Sequence, residues 1–293
     1  MMDATMGATQ AILETRGLCK SFGALAVTQN VNLSLAPGAR HALIGPNGAG
    51  KTTFINQLTG VLRPTSGTVW LDGEDITRTA AERRVRRGLS RTFQINSLFP
   101  HLTPLEAVAA AMFERDRETM GFAYRWVRGV SHSRAQLDEA HGLLTSLGIA
   151  RDCELPTHEL AYGRQRVLEI ALALAARPRV LLLDEPAAGI PEGESDELFA
   201  VLERLPAEVA ILLIEHDMSL VFRFATRITV LVGGAELVTG TPEAIAADPR
   251  VREVYLGQGV ETHSHPGLLL EEEGEAHSLP FKGRDGMGVG HSS

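Results

Sequence analysis

Cysteine is almost missing from this chain. Only Cys19 and Cys153 occur in 293 residues, far apart and without a paired spacing. That excludes a disulfide framework and a cysteine metal site, and both residues read as reduced thiols. Long apolar runs are missing as well. The most apolar region, residues 167–183, is cut by Glu169, Arg177, Pro178 and Arg179, so nothing approaches the roughly 20 residues that span a bilayer. The amino terminus, MMDATMGATQ, has neither a positive flank nor an apolar signal core. A soluble, cytoplasmic protein is expected. Positive charge is also scarce: the net charge is −8, which argues against a nucleic-acid partner. No internal repeat is visible. At 44% hydrophobic residues, the chain can still bury one large core or two modest ones.

Four regions differ in texture. Residues 1–10 read as a flexible start. Residues 12–18, 31–35, 42–44 and 68–71 read as short strands, the last followed by the turn pair Asp72-Gly73. The middle turns helical. Thr103-Pro104-Leu105-Glu106 is a capping box with proline at the first helical position, and Ser133 to Gln136 repeats the logic before Leu137, Ala140, Leu144 and Leu147 mark one face. Residues 122–130 between them are aromatic and basic. Alternation then resumes: a helix over 163–176, a strand over 180–183, a helix over 194–204 and a strand over 209–214. Strands at 228–232 and 236–238 bracket the hairpin turn Gly233-Gly234. The pattern predicts an α/β core interrupted by a helical insertion over about 95–158. From residue 258 the chain reads as a disordered acidic tail. From Val260 onward it holds six acids and two bases, and its histidines share no ligand spacing.

Three strings carry chemistry. Gly45-Pro46-Asn47-Gly48-Ala49-Gly50-Lys51-Thr52, with Thr53 behind it, fits GxxxxGK[ST] between a predicted strand and a predicted helix. Glycines let backbone amides turn toward phosphate oxygens, and the helix start adds a favourable dipole. Lys51 would neutralise β- and γ-phosphates, and the Thr52 hydroxyl would coordinate Mg²⁺. Asp184 and Glu185 end an apolar strand, so their carboxylates fall at the carboxyl edge of a parallel sheet, where ligands bind. Asp184 is placed to hold Mg²⁺ and Glu185 to act as general base on the attacking water. His216 follows another apolar strand and is a candidate γ-phosphate contact. Gln94 stands at the junction into the helical insertion, from which its amide reaches metal or water. The basic cluster Arg83, Arg84, Arg86, Arg87 reads as a solvated helix face rather than a lipid or nucleic-acid site.

With these residues in this order, and with LAYGRQ at residues 160–165, the chain resembles the ATP-binding cassette (ABC) family of transport ATPases over residues 11–257. It is most similar to the ATPase subunits of branched-chain amino acid importers. Arg91-Thr92-Phe93-Gln94, DEPAAG at 184–189, IEHDM at 214–218 and Val254-Tyr255-Leu256-Gly257 carry that closer likeness. The resemblance implies a P-loop NTPase (RecA-like) core with an antiparallel β subdomain and the helical insertion subdomain, using ATP and Mg²⁺. It implies that Phe22 stacks on adenine, with Lys20 and Gly23 around it. It further implies that Leu160, Ala161, Tyr162, Gly163 and Arg164 complete the γ-phosphate site of a second, facing cassette, the same chain or a different one. The other implied partners are transmembrane permease subunits and, indirectly, an extracytoplasmic solute-binding protein, with the chain peripheral on the inner face of the plasma membrane.

The chain departs from the family pattern at three points. Ala161 stands where serine is usual, which removes a hydroxyl hydrogen bond worth roughly 0.5–1.5 kcal/mol. Arg164 replaces a glutamine and either adds a cation near the phosphates or faces solvent. Ile190-Pro191 follows DEPAAG where a leucine and an acid or amide are expected. Three alternatives share most of these motifs: the ATPase of a lipid or lipopolysaccharide exporter, a non-transport cassette, and an inactive regulatory subunit.

Overall fold

A computed structural model describes residues 10–92, 98–116, 134–190 and 195–256, all within a compact unit spanning Met1–Gln258. The predicted Gln94, Ser133, the 122–130 segment, Pro191, Gly257 and the acidic tail lie outside the described residues.

Two sheets organise this unit. The first is antiparallel, with β1 (Leu13–Phe22), β2 (Leu25–Leu35), β4 (Ser66–Leu71) and β5 (Glu74–Asp75) in the order β2-β1-β4-β5. The second contains β3 (Arg40–Ile44), β6 (Leu89–Arg91), β7 (Val180–Asp184), β8 (Ala210–Ile214), β9 (Arg227–Val232) and β10 (Ala235–Gly240), ordered β10-β9-β3-β8-β7-β6. Five of these strands run parallel, and β10 closes one edge antiparallel to β9. β1 and β2 are longer than hydrophobic pattern predicts. Apart from Thr28, no residue of 19–22 or 25–30 is buried, and the hairpin turn at Gly23 (φ 58°) extends the ladder out to Phe22 and Leu25. Backbone pairing, which pattern does not register, makes those residues strand.

Nine helices are described: α1 (Lys51–Thr59), α2 (Ala81–Arg86), α3 (Pro104–Asp116), α4 (Arg134–Ser146), α5 (Tyr162–Ala175), α6 (Ser195–Glu203), α7 (Met218–Phe224), α8 (Pro242–Ala247) and α9 (Pro249–Leu256). Among the described residues no helix is long and apolar enough to cross a membrane. The Thr103–Glu106 capping box forms as expected. The Glu106 amide donates to Thr103 Oγ1 at 3.2 Å, and the Thr103 amide donates to Glu106 Oε2 at 2.9 Å.

The parallel strands read as unbroken apolar runs because both sheet faces are covered. Alternation divides them between two cores. Leu181, Leu183, Ile211 and Leu213 pack with Val108, Leu144, Val167 and Leu202 from the helices of one face. Val180, Leu182, Leu212 and Ile214 pack with Phe54 and Leu58 of α1 and with Leu13 and Val69 of the antiparallel sheet. A third cluster joins Ala42, Ile44 and Val230 to Val221 and Ile245.

One expectation fails here. Arg84 is not on a solvated face: it is 1% exposed. Its guanidinium donates to the carbonyls of Gln57 (2.8 Å), Leu58 (2.6 Å), Thr77 (2.9 Å) and Thr79 (2.9 Å). At the end of α1 the Gln57 carbonyl accepts only the capping Gly60 amide, at 3.3 Å, and a buried cation that also meets the helix dipole completes the last carbonyls. Burial pushes the Arg84 pKa down to about 10, which leaves it charged at neutral pH.

Candidate functional site

Parallel pairing brings three strand ends to one edge. Leu43 and Asp184 both stand opposite Ile214. The loop after β3, the acids ending β7 and the histidine after β8 are therefore neighbours, although far apart in sequence.

The loop from Gly45 to Gly50 is shaped by its backbone. A Cβ on Gly45 would lie 2.2 Å from the Leu231 carbonyl oxygen, and one on Gly50 (φ 93°) would lie 2.4 Å from that of Val27. The Gly234 amide donates to the Ala49 carbonyl at 3.1 Å, fixing the loop against the β9–β10 turn. α1 starts at Gly50 with no side-chain cap, so its first amides stand open to an anion. Lys51 Nζ lies across this ring, donating to the carbonyls of Gly45 (2.5 Å) and Pro46 (3.1 Å). Burial lowers its pKa, and the Glu185 and Asp184 carboxylates oppose that shift, so both acids act on this lysine. Asn47, Gly48 and Thr52 are exposed, Pro46 and Thr53 half-buried.

Asp184 accepts from Arg91 Nη2 at 2.5 Å, and Arg91 Nη1 donates to Asn56 Oδ1 at 2.8 Å, tying β7 to α1. Glu185 is exposed and held at φ 48°, a left-handed backbone that glutamate adopts rarely. Its amide donates to the Ile214 carbonyl at 2.9 Å. The His216 side chain is 67% exposed beside the same edge. Phe22, with 50% of its surface exposed, is not a core residue, and Lys20 Nζ sits 5.0 Å from its ring centre.

LAYGRQ forms the entry to α5. Leu160 is buried, while Ala161 and Tyr162 are exposed. Ala161 gives no side-chain cap, so α5, like α1, begins with open amides near Gly163. The Arg164 side chain is tied down rather than free in solvent. It donates to the Gly148 carbonyl at 2.8 Å and faces Glu197 at 3.4 Å and Asp152 at 3.7 Å.

Four residues of this region were not singled out by sequence. Arg91 pairs with Asp184, and Arg166 joins a buried ion pair to Glu169 at 2.9 Å. Glu215 is fully buried behind His216. Tyr255 on α9 lies against the backbone of Gly45, and burial pushes its phenol up to about 12. A basic residue ending a strand beside an acid is a signal that would have found Arg91. Arg166 and Glu169 stand three apart on one helix, a spacing that the sequence shows, whereas Glu215 and Tyr255 depend on long-range packing.

A cavity of about 560 Å³ lies elsewhere, at the amino-terminal ends of β3 and β9 around Arg40, His41 and Arg227. It contains none of the predicted site residues. His41 there is buried, bonds Thr229 Oγ1 through Nε2 at 2.8 Å, and has its pKa pushed down to about 4 by burial. It is a neutral structural histidine.

A glycine loop at an uncapped helix start, with a lysine across it and two acids acting on that lysine, suits the phosphates of a nucleotide. The ABC transporter family matches residues 28–188, and the chain belongs to that family: it is an ATP-binding cassette, an ATPase. A second match, over residues 237–261, is to the branched-chain amino acid ATP-binding cassette transporter family. Among relatives, the chain is 39% identical over 253 residues to the high-affinity branched-chain amino acid transport ATP-binding protein BraF of Pseudomonas aeruginosa, covering 85% of this chain and 99% of BraF. It is 40% identical over 255 residues to LivG of Escherichia coli, a protein of the same description, with 85% and 99% covered. The ADP conformation of MJ1267, an ATP-binding cassette of an ABC transporter, superposes with a TM-score of 0.73 at 27% identity, covering 85% of this chain and all of that one.

Proposed function

We propose that this chain is the ATP-hydrolysing subunit that energises import of branched-chain amino acids or a related small polar solute. It works as one of two facing cassettes beneath transmembrane permease subunits, peripheral on the inner face of the plasma membrane, with an extracytoplasmic binding protein delivering the solute. The observation that carries this reading is the meeting of Lys51, Asp184, Glu185 and His216 at one sheet edge. The descriptions of BraF and LivG support the amino acid assignment.

The residues divide the work. Amides of residues 47–52 and Lys51 Nζ bind the β- and γ-phosphates, and the lysine exchanges its carbonyl partners for phosphate oxygens. Phe22 and Lys20 offer a flat, cation-backed face to adenine. Hard oxygens from Thr52 and Asp184 fit Mg²⁺, a cation that takes one or two carboxylates and completes its shell with phosphates and water. When bound, it would neutralise charge developing on the transferred phosphoryl group. Glu185 receives the proton of the attacking water, and His216 contacts the γ-phosphate. Gly163 and the open start of α5 serve the nucleotide of the partner cassette.

The test is Glu185→Gln in the full chain. It should retain ATP binding and ATP-dependent dimerisation while turnover falls at least a hundredfold, whereas Lys51→Ala should lose binding itself. Unchanged hydrolysis in Glu185→Gln would remove Glu185 from the role of base. Uptake of leucine, isoleucine and valine by the reconstituted complex tests the solute class.

A further inference from the structure

Behind His216 lies a carboxylate that neither phosphate binding nor water activation uses. The Glu215 side chain is 0% exposed, and both of its oxygens accept backbone amides. Oε1 accepts from Ala187 at 2.8 Å and Oε2 from His216 at 3.0 Å. Burying a carboxylate is costly, and burial raises its pKa while these amides oppose the rise. Glutamine cannot replace it without loss, because an amide has one acceptor oxygen and here two donors converge.

The opposite side of the same segment is gripped by α5. Tyr162 Oη donates to the Ala188 carbonyl at 3.0 Å. Arg166 Nη2 donates to Tyr162 Oη at 2.9 Å and to the Ala188 carbonyl at 3.4 Å. The fit is close enough that a Cβ on Gly189 (φ 78°) would come within 2.9 Å of the tyrosine oxygen. Residues 187–189 are thus held by an acid on the His216 side and a phenol on the α5 side. The segment begins at Glu185, whose carbonyl accepts from the Ala188 amide at 3.0 Å.

We propose that Glu215 and Tyr162 are positioning residues that together clamp residues 187–189. The clamp sets Glu185 against His216 and ties this chain's hydrolytic edge to the α5 start that serves the partner's nucleotide. This inference rests on the ATPase reading above. It predicts that a disturbance at either end reaches the other through a single backbone segment.

The test compares Tyr162→Phe, Glu215→Gln and the double variant, as full chains alone and with co-purified partner subunits. Tyr162→Phe removes one hydroxyl from a residue 38% exposed, so it should fold even if Glu215→Gln does not. Each single variant should lower kcat about tenfold while KM and the ATP Kd stay within about twofold. The double variant should be no slower than the slower single, since both act on one segment. A Tyr162→Phe kcat within twofold of the unaltered chain, or losses that multiply in the double variant, would overturn the clamp. Absence of Lys51-dependent turnover in the unaltered chain would instead overturn the ATPase reading, and the clamp with it.

Discussion

The starts of α1 and α5 both leave open amides, and they are held in opposite ways. α1 leaves the phosphate loop from buried Gly50, fixed by backbone contacts to Val27 and Gly234 that allow no side chain. α5 starts on the surface from extended Ala161 (φ −56°, ψ 149°), and side chains of Tyr162, Arg164 and Arg166 hold its first turn. Backbone packing demands particular residue types, whereas a side-chain brace can be built in several ways. That accounts for a phosphate loop that keeps its pattern beside an α5 start that departs from it. Arg164 is a change of brace and Ala161 the loss of a cap, and the open amides remain.

The sharpest way to break the contrast is at the far end of α1. Arg84→Met should take the guanidinium from four carbonyls, of which Gln57 keeps only the Gly60 amide, and destabilise the protein by about 4 kcal/mol, lowering Tm by roughly 10 °C. A loss under about 1 kcal/mol in denaturant unfolding would show that water replaces the guanidinium. The strand feeding the phosphate loop adds a pH term. His41 on β3 has a folded pKa near 4, below the ordinary 6.5, so the unfolded chain takes up a proton first. Its stabilisation is complete above pH about 6.5 and is lost as pH falls toward 4, by up to about 3 kcal/mol. His41→Gln should therefore lose less stability than the parent between pH 7.5 and 4.5.

Gly50→Ala attacks the α1 start directly. Its Cβ meets a backbone oxygen that cannot move aside, at a φ that L-residues resist. ATP affinity should fall about a hundredfold, equivalent to about 2.7 kcal/mol, in a binding titration. An alanine added at exposed Gly142 in α4, where nothing lies within 4 Å, should leave binding unchanged and serve as the control.

The same distinction decides what the sequence discloses. The sheet's parallel strands and the phosphate loop are legible because burial on two faces and close backbone approach restrict residue type locally. Arg84 is not legible: α2 is only six residues, four arginines crowd positions 83–87, and two of the four carbonyls that choose one of them lie on α1. Glu215 hides equally well, because its donors at Ala187 and His216 come together only when β7 and β8 pair. The distal halves of β1 and β2 escape for a third reason, being strands by ladder pairing alone.

Restoring the usual residue at the α5 start gives the smallest effect and isolates the brace from the amides. Ala161→Ser places a hydroxyl at an extended N-cap, where it can accept from an amide one turn on. The helix should gain about 1 kcal/mol, seen as a Tm rise of roughly 2–4 °C. Those amides are the donors proposed for the partner's γ-phosphate, so the serine competes with the nucleotide for one of them. If the side-chain brace alone positions α5, ATP-dependent dimerisation should stay within about twofold while Tm rises. A dimer strengthened tenfold would mean instead that the missing hydroxyl, rather than the brace, limits this half of the site.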